Sequence, residues 1–537
     1  MKKIFTLIAA GMCGLAAMAT TYTGQLTVTI NGQSSTENEV SINVDQNGDL
    51  YTLSLENFVL GGQMAIGNIV IPELQAIDAN GVKVLTTNQN ITIAEGTDTS
   101  VPTWVGPGLG EIPVQMTSAF NDQHIVAYID INFEQLGQVI AVKFDNTLDD
   151  FQIGNNGFEI WAEAASGYKP EPMFWHSFQT ATGNFAAMAG DHIFQSQVTR
   201  PGSDGQYSAV LTSTKVIGIV ANGTMTTGRL NAGNATAANT ANHSYLDMSA
   251  TDVDHFQNPY YVTLQARPDA LKTWVRFYQQ EFQAAHPYAT VNAVITDGTR
   301  YQDPEDQAYT NVVAKATNRT IAINNSQWQE ITVPFDYDTY AANNAEAKAL
   351  LVTFSTNADA GQGSCKVEGG LWGIGGTITD ADSLFVDDIS LVYNAGVTDL
   401  RFQGQTLEGF DPETKQYNIT LNAPQAAPAR AAAVSTDDFA VDTDGQSAYV
   451  GARVDTADNG YLANVAAVSA DLQNINVYTI NINEPTTAVS DINAGKTIAA
   501  TAYYNLAGVR VSQPQQGINI VVTRYTDGTQ KAEKVVF

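Results

Sequence analysis

Short runs rich in Val, Ile, Thr, Tyr and Phe recur along the chain, separated by Asn, Gly, Asp and Pro, while long 3.6-residue periodicity is nearly absent. Runs of this kind read as strands, so the pattern predicts a mostly β protein. From residue 22 to about 147, segments such as YTGQLTVTI, IGNIVIPEL and IVAYIDINFE follow one another, and the hairpin signal Asn47-Gly48 falls among them. About eight strands at this spacing suit a closed up-and-down barrel. A second β-rich unit spans 150–395, a smaller one 396–484, and 485–537 holds a linker and a β-rich tail. The clearest helical candidate is 341–350, AANNAEAKAL, whose alanines favour a helix decorating a sheet.

Two stretches of the largest unit bear on function. In SLFVDDISLVY (383–393), Phe385, Asp387, Ile389, Leu391 and Tyr393 share one parity. A regular strand therefore turns Asp387 to the apolar face and Asp388 to the other. A carboxylate placed there needs a cation, a metal, several hydrogen bonds or a proton. In TWVRFY (273–278), Val275 and Phe277 form a core pair, while Trp274, Arg276 and Tyr278 point the opposite way. Two amphipathic aromatics around a guanidinium have the composition of a sugar-binding face, with pyranose C–H groups against the rings and Arg donating to hydroxyls. The alternative is a further packed layer over that side.

Trp161 lies opposite Phe158 and Ile160, and Trp328 opposite Ile331 and Val333, so three strands are expected to turn a tryptophan away from their aliphatic side. Trp175 and His176, in KPEPMFWHSF, and Trp372, in GGLWGIGG, are loop candidates that either cap the sandwich or grip a ligand.

The segments also carry family resemblances. YTGQLTV, GNIVIPEL and IVAYIDI resemble the calycin-like (lipocalin-like) β-barrel domain of exported proteins from Bacteroides-type bacteria. That implies a barrel over 22–147, serving as a scaffold or holding a small apolar ligand. NNGFEIWAEAASGYKPEPMFWHSFQTA, QARPDALKTWVRFY and SLFVDDISLVY together resemble the carbohydrate metabolism domain of the same bacteria, a jelly-roll β-sandwich family, and imply sugar contact more than a defined reaction. Jelly-roll sugar-binding modules often tie their chain ends with a structural calcium held by an acidic residue of the first strand and an Asp of the last. Glu159 and Asp387 stand at the matching places, and backbone N–H groups are the alternative partners of Asp387.

VTDLRFQGQTLEGFDPETKQYNITL is similar to Ig-like or cadherin-like sandwich modules, in which a Gly-Phe-Asp-Pro turn leads into a Tyr-bearing strand. The last segment resembles the C-terminal sorting tails of exported proteins in this bacterial group. The expected fold class is thus all-β, with an N-terminal calycin-like β-barrel, a central jelly-roll β-sandwich, a C-terminal Ig-like β-sandwich and a β-rich tail.

Composition narrows the partners. With 55 Asp plus Glu against 25 Lys plus Arg, the formal charge is −30, which makes nucleic acid and anionic lipid poor partners. Acidic residues spread along the chain favour solubility outside the cell, where calcium is supplied. MKKIFTLIAAGMCGLAAMA reads as a secretory signal cut after Ala19. A lipid anchor at Cys13 is disfavoured by bulky Met12. No later stretch is apolar enough to span a bilayer, and the mature chain keeps only Cys365, so it has no internal disulfide.

Catalytic signatures are lacking: no His-Glu-x-x-His, no Gly-x-Ser-x-Gly and no P-loop. Glycoside hydrolysis needs a spaced carboxylate pair, and no spacing singles one out. The expected function is that of an exported carbohydrate-binding protein, at the outer-membrane surface, extracellular or in the periplasm. A glycan-degrading enzyme or its accessory subunit is the first alternative, and a structural adhesin or surface-layer protein the second.

Overall fold

The computed structural model describes residues 18–133, 137–162, 170–188, 191–216, 218–249, 251–370, 376–421, 434–484 and 496–537. The leader as far as residue 17 and Trp372 lie outside the described residues. By their contacts the residues form two compact units. One holds the chain up to Tyr417 with Ser435–Val454 and Ala463–Ile480, and the other holds Asn418–Val434, Asp455–Leu462 and Asn481–Phe537.

Eight antiparallel strands open the first unit: β1 Met18–Ile30, β2 Gln33–Asn47, β3 Leu50–Leu60, β4 Met64–Ala79, β5 Val82–Ile91, β6 Ile112–Phe120, β7 Ile125–Phe133 and β8 Gln138–Asp145. They pair in chain order and close when β8 pairs with β1, giving the closed up-and-down barrel expected. The β2–β3 turn sits one residue later than the Asn47-Gly48 signal would place it: Asn47 pairs with Leu50, and Gly48 takes φ +63° at the first central position. Inward side chains fill the barrel, among them Leu26, Ile71, Leu74, Leu85, Met116 and Ile125, with the Phe120 ring edge-on to Tyr51 at 5.6 Å.

The second body of this unit is a sandwich. Its strands are β9 Ile193–Ser196, β10 Ser208–Thr212, β11 Thr224–Thr226, β12 Ala270–Tyr278, β13 Ala289–Thr296, β14 Val312–Ile321, β15 Gln329–Pro334, β16 Ala349–Ser355 and β17 Ser383–Val392. One sheet runs β15-β12-β17-β10-β9 and the other β11-β16-β13-β14, all pairs antiparallel. Leu271, Val275, Phe277, Leu384 and Val386 of the first sheet meet Val291, Ala293, Ile295, Val352 and Phe354 of the second in one core.

The helix expected over 341–350 does not form. Ala341–Asn343 is a single 3-10 turn, Asn344 enters the left-handed region at φ +49°, and the chain then extends into β16. Ala349, Leu350, Leu351 and Val352 are all buried, and a continuous apolar run covered on both sides is a strand pattern that outweighs alanine's helix propensity.

After the sandwich come β18 Val397–Phe402, β19 Gln416–Thr420, β20 Phe439–Thr443, β21 Tyr449–Ala457, β22 Gly460–Val468 and β23 Ile475–Asn483. β18 pairs with β20, and the others order as β19-β23-β22-β21. The Gly-Phe-Asp-Pro turn closes as its motif suggests: the Tyr417 hydroxyl donates to Asp411 O at 2.7 Å and accepts from Asp411 N at 2.9 Å. In the second unit, β24 Ile498–Tyr504, β25 Ile518–Tyr525 and β26 Gln530–Val536 form an antiparallel sheet with Arg510–Val511 on its edge.

Candidate functional site

Strand β12 alternates as its sequence requires. Leu271, Thr273, Val275 and Phe277 are fully buried, Trp274 and Arg276 are half-buried, and Tyr278 at its end is 37% exposed. Trp274, Arg276 and Tyr278 therefore share the outer face of the first sheet.

The neighbouring strand β17 departs from regular alternation. Lys272 pairs with Ser390 and Trp274 with Asp387, so Asp388 and Ile389 stand against the single residue Thr273. This is a β-bulge, with Asp388 in the left-handed region at φ +43°. The bulge flips parity within the strand: Leu384 and Val386 face the core before it, Ile389 and Leu391 after it. The regular-strand expectation that put Phe385 on one face with Ile389 and Leu391 is thus corrected, and Phe385 faces outward beside its partner Arg276.

That shift completes a row across the sheet. Arg276 pairs with Phe385, Phe385 with Val210, and Val210 with Phe194. The Arg276 guanidinium lies over the Phe385 ring at 5.1 Å, the Trp328 ring meets Phe385 edge-on at 6.2 Å, and Phe194 is 42% exposed. Phe194 and Phe385 belong to this face although neither was singled out as a binding residue. Period two is the signal that fails for Phe385, because the bulge breaks it.

Arg200, also missed, anchors the site. Its backbone N donates to Asp387 Oδ2 at 2.9 Å, its Nε donates to Asp388 Oδ2, and its guanidinium lies 5.6 Å from the Trp274 ring centroid. Asp387 has no exposed surface. Its second oxygen accepts from Asp388 N at 2.9 Å, and burial pushes its carboxyl up to about 6, against the pull of the two amides and of the nearby Arg200 charge, with Asp388 adding to the rise.

Glu159 is exposed in the loop before the first bridge of the sandwich, where its Oε1 accepts from Gln206 N at 3.0 Å and Tyr207 N at 2.9 Å. A side chain at residue 205 would crowd that carboxylate, since a Cβ there would lie 2.4 Å from Oε1, which explains the glycine. Both carboxylates read as calcium ligands are thus engaged by backbone amides. Among the described residues no group of three or more His, Cys, Asp or Glu side chains is placed to hold a metal ion.

The remaining tryptophans separate. Trp161 is not on a regular strand: it makes an isolated bridge to Pro172, its Nε1 donates to Phe158 O at 2.5 Å, and it packs half-buried against the sandwich core. Trp175 is fully buried between Phe158 and Phe354, at ring separations of 5.5 and 6.2 Å, and offers no face to a ligand. Phe174, just before it, takes φ +66°, and the reversal sends Trp175 inward. Trp328 precedes β15 by one residue and joins Trp274 on the outer face. Two of the three tryptophans expected to share a platform therefore meet there.

The class defined so far is an all-β chain with a closed eight-stranded barrel ahead of a two-sheet sandwich that bears an aromatic outer face. Residues 18–147 match the calycin-like beta-barrel domain family. Among solved structures, the N-terminal CBM22-1–CBM22-2 tandem domain of Xyn10C from Paenibacillus barcinonensis aligns with 71% of this chain and 99% of its own, at 10% identity and a TM-score of 0.18. A search of curated proteins finds no match. At so low a TM-score the alignment is loose, and the site stands on its own geometry.

Proposed function

We propose that this chain is an exported carbohydrate-binding protein that lays a poly- or oligosaccharide against the outer face of its first sandwich sheet. One observation carries the reading: Trp274, Trp328, Phe385 and Phe194 keep surface on a single face, with the Arg276 guanidinium among them and Tyr278 at the strand end. Rings of this kind take the apolar face of a pyranose, and a guanidinium among them can donate to hydroxyls. The Arg200 guanidinium lies over the Trp274 ring, so little ordering of that ring is left for a ligand to impose. Export is supported by the basic and apolar start of the sequence, and among the described residues no helix is long and apolar enough to cross a membrane.

Affinity electrophoresis against soluble polysaccharides, followed by calorimetry on a retained one, tests the proposal. Trp274→Ala is expected to weaken binding about 30-fold, the effect of truncating a central aromatic anchor, without changing the circular dichroism spectrum. Retention equal to wild type would refute it. Release of reducing sugar by the wild-type chain would favour the enzyme alternative, and retention on host protein but on no glycan would favour the adhesin.

A further inference from the structure

A cavity of about 460 Å³ opens beside β11 and shares no residue with the aromatic face. Its walls are the 171–180 segment and the 253–260 hairpin, and both are held before any ligand arrives. Glu171 Oε1 accepts from Ser177 N and Oγ, each at 2.7 Å, while Asp254 Oδ1 accepts from Asn258 N at 2.7 Å. His176 bridges to Thr226 of β11 and is 1% exposed.

The side chains lining this cavity have unmet hydrogen-bonding capacity. Both ring nitrogens of His176, Gln179 Oε1 and Thr180 Oγ1 are buried with no hydrogen-bond partner in the protein, and the closest charged approach to His176 is Glu171 Oε2, 3.7 Å from Nδ1. Buried polar groups are seldom left so, and three neighbouring residues of one cavity share the deficit. Tyr260, with its ring 4.5 Å from that of His176, supplies an aromatic wall. Burial raises its hydroxyl to about 12, so it stays a neutral donor. The charged side chains of the lining are the carboxylates of Glu171 and Asp254; Arg229, which donates to Thr180 O at 3.0 Å and lies over the Tyr260 ring, has its charge engaged by Asp247 and Asp252, so the balance around the cavity disfavours an anion.

We propose that the cavity bounded by His176, Gln179, Thr180 and Tyr260 is a binding site for a small neutral polyhydroxylated ligand, a free sugar or the end of a sugar chain. Its volume lies within the range of about 300–1,000 Å³ usual for small-molecule sites. Hydroxyl groups, each donor and acceptor at once, meet the mixed requirement of an imidazole, an amide oxygen and a hydroxyl. The ring carbons have Tyr260 to lie against.

The test is calorimetry on the full chain carrying Trp274→Ala, so that the aromatic face does not report. Glucose, galactose, mannose, xylose and N-acetylglucosamine are titrated, with glucuronate and glucosamine as charged arms and cello-oligosaccharides to distinguish a chain end from a free sugar. The expected result is one-to-one binding of at least one neutral sugar, weakened about two- to tenfold by Thr180→Val and again by Gln179→Leu, as when one hydrogen bond is removed. Thr180→Val removes a hydroxyl unpartnered in the free protein, so the unliganded Tm is expected to hold or rise while affinity falls. A merely structural hydroxyl would lower the Tm instead and overturn its role. Absence of neutral-sugar binding, binding unchanged in both variants, or preference for glucuronate or glucosamine over glucose would each overturn the proposal. Loss of cavity binding leaves the aromatic face untouched, and the reverse also holds.

Discussion

Replacing Asp387 with Asn tests the buried carboxylate of the bulge. The side chain is fully enclosed, Asp388 is its immediate neighbour, and its oxygens accept from two backbone amides, with the charged Arg200 side chain near. Desolvation is the largest influence and lifts the folded pKa to about 6, whereas an unfolded aspartate titrates near 3.9. The folded state therefore binds its proton more tightly than the unfolded chain. The stabilisation is fully present below about pH 4 and is lost as pH rises through about 6. Two pKa units correspond to about 3 kcal/mol, or about 6 °C in Tm for a folding unit of about 250 residues. Asp269, Asp303, Asp382 and Asp471 are also raised by burial and tilt the profile the same way, so the informative quantity is the wild-type minus Asp387→Asn difference. Thermal unfolding from pH 4 to 7.5, with and without EDTA, should show that difference falling with pH and unaffected by the chelator. A calcium ion on Asp387 would demand the ionised form and reverse the slope in its presence. A flat difference, or one that rises with pH and collapses in EDTA, would refute the amide-held carboxylate.

The two faces of β12 make a contrasting pair. Phe277→Ala, in the fully buried core, is expected to cost about 3–5 kcal/mol by denaturant titration, while Tyr278→Ala, one residue on and exposed, is expected to move stability by about 0.5 kcal/mol or less and to weaken glycan retention. Tyr417→Phe removes a hydroxyl that both donates to and accepts from Asp411, and should lower stability by about 1–2 kcal/mol, read as a shift in the denaturation midpoint with the slope unchanged.

What the sequence made legible was what period two controls. The barrel strands follow one another in chain order in spite of local register shifts, and β12 buries Leu271, Val275 and Phe277 while turning Trp274, Arg276 and Tyr278 outward. Where one residue is inserted or reversed, the periodic reading fails locally and completely. Adjacent aspartates at 387 and 388 read as a charge problem inside a regular strand, and they are a bulge whose left-handed residue moves Phe385 to the outer face. Phe174 likewise reverses the chain and takes Trp175 into the core. Of the cavity beside β11 only His176, in KPEPMFWHSF, drew notice in the sequence, since Glu171 and Tyr260 stand 89 positions apart and are joined by the packing of two loops.

The barrel is packed against the segment that follows the sandwich. Its outer surface at Ile77, Val82, Val84, Ala119 and Val126 packs against Ala466, Val468 and Leu472. From the same segment, Gln473 Nε2 donates to Asp145 Oδ2 at 2.7 Å and to Thr147 Oγ1 at 2.8 Å, and Gln473 O accepts from the Tyr128 hydroxyl at 2.9 Å. One residue on, Asn474 Nδ2 donates to Tyr393 O at 2.9 Å, just past the end of β17. A span of two residues therefore grips the barrel and the strand that carries Phe385 and the bulge. Apolar burial supplies the larger share of this attachment, and hydrogen bonds to buried partners fix its register. With its interior packed by side chains and its outside clamped in this way, the barrel is joined through Gln473 and Asn474 to the chain just past the bulged strand.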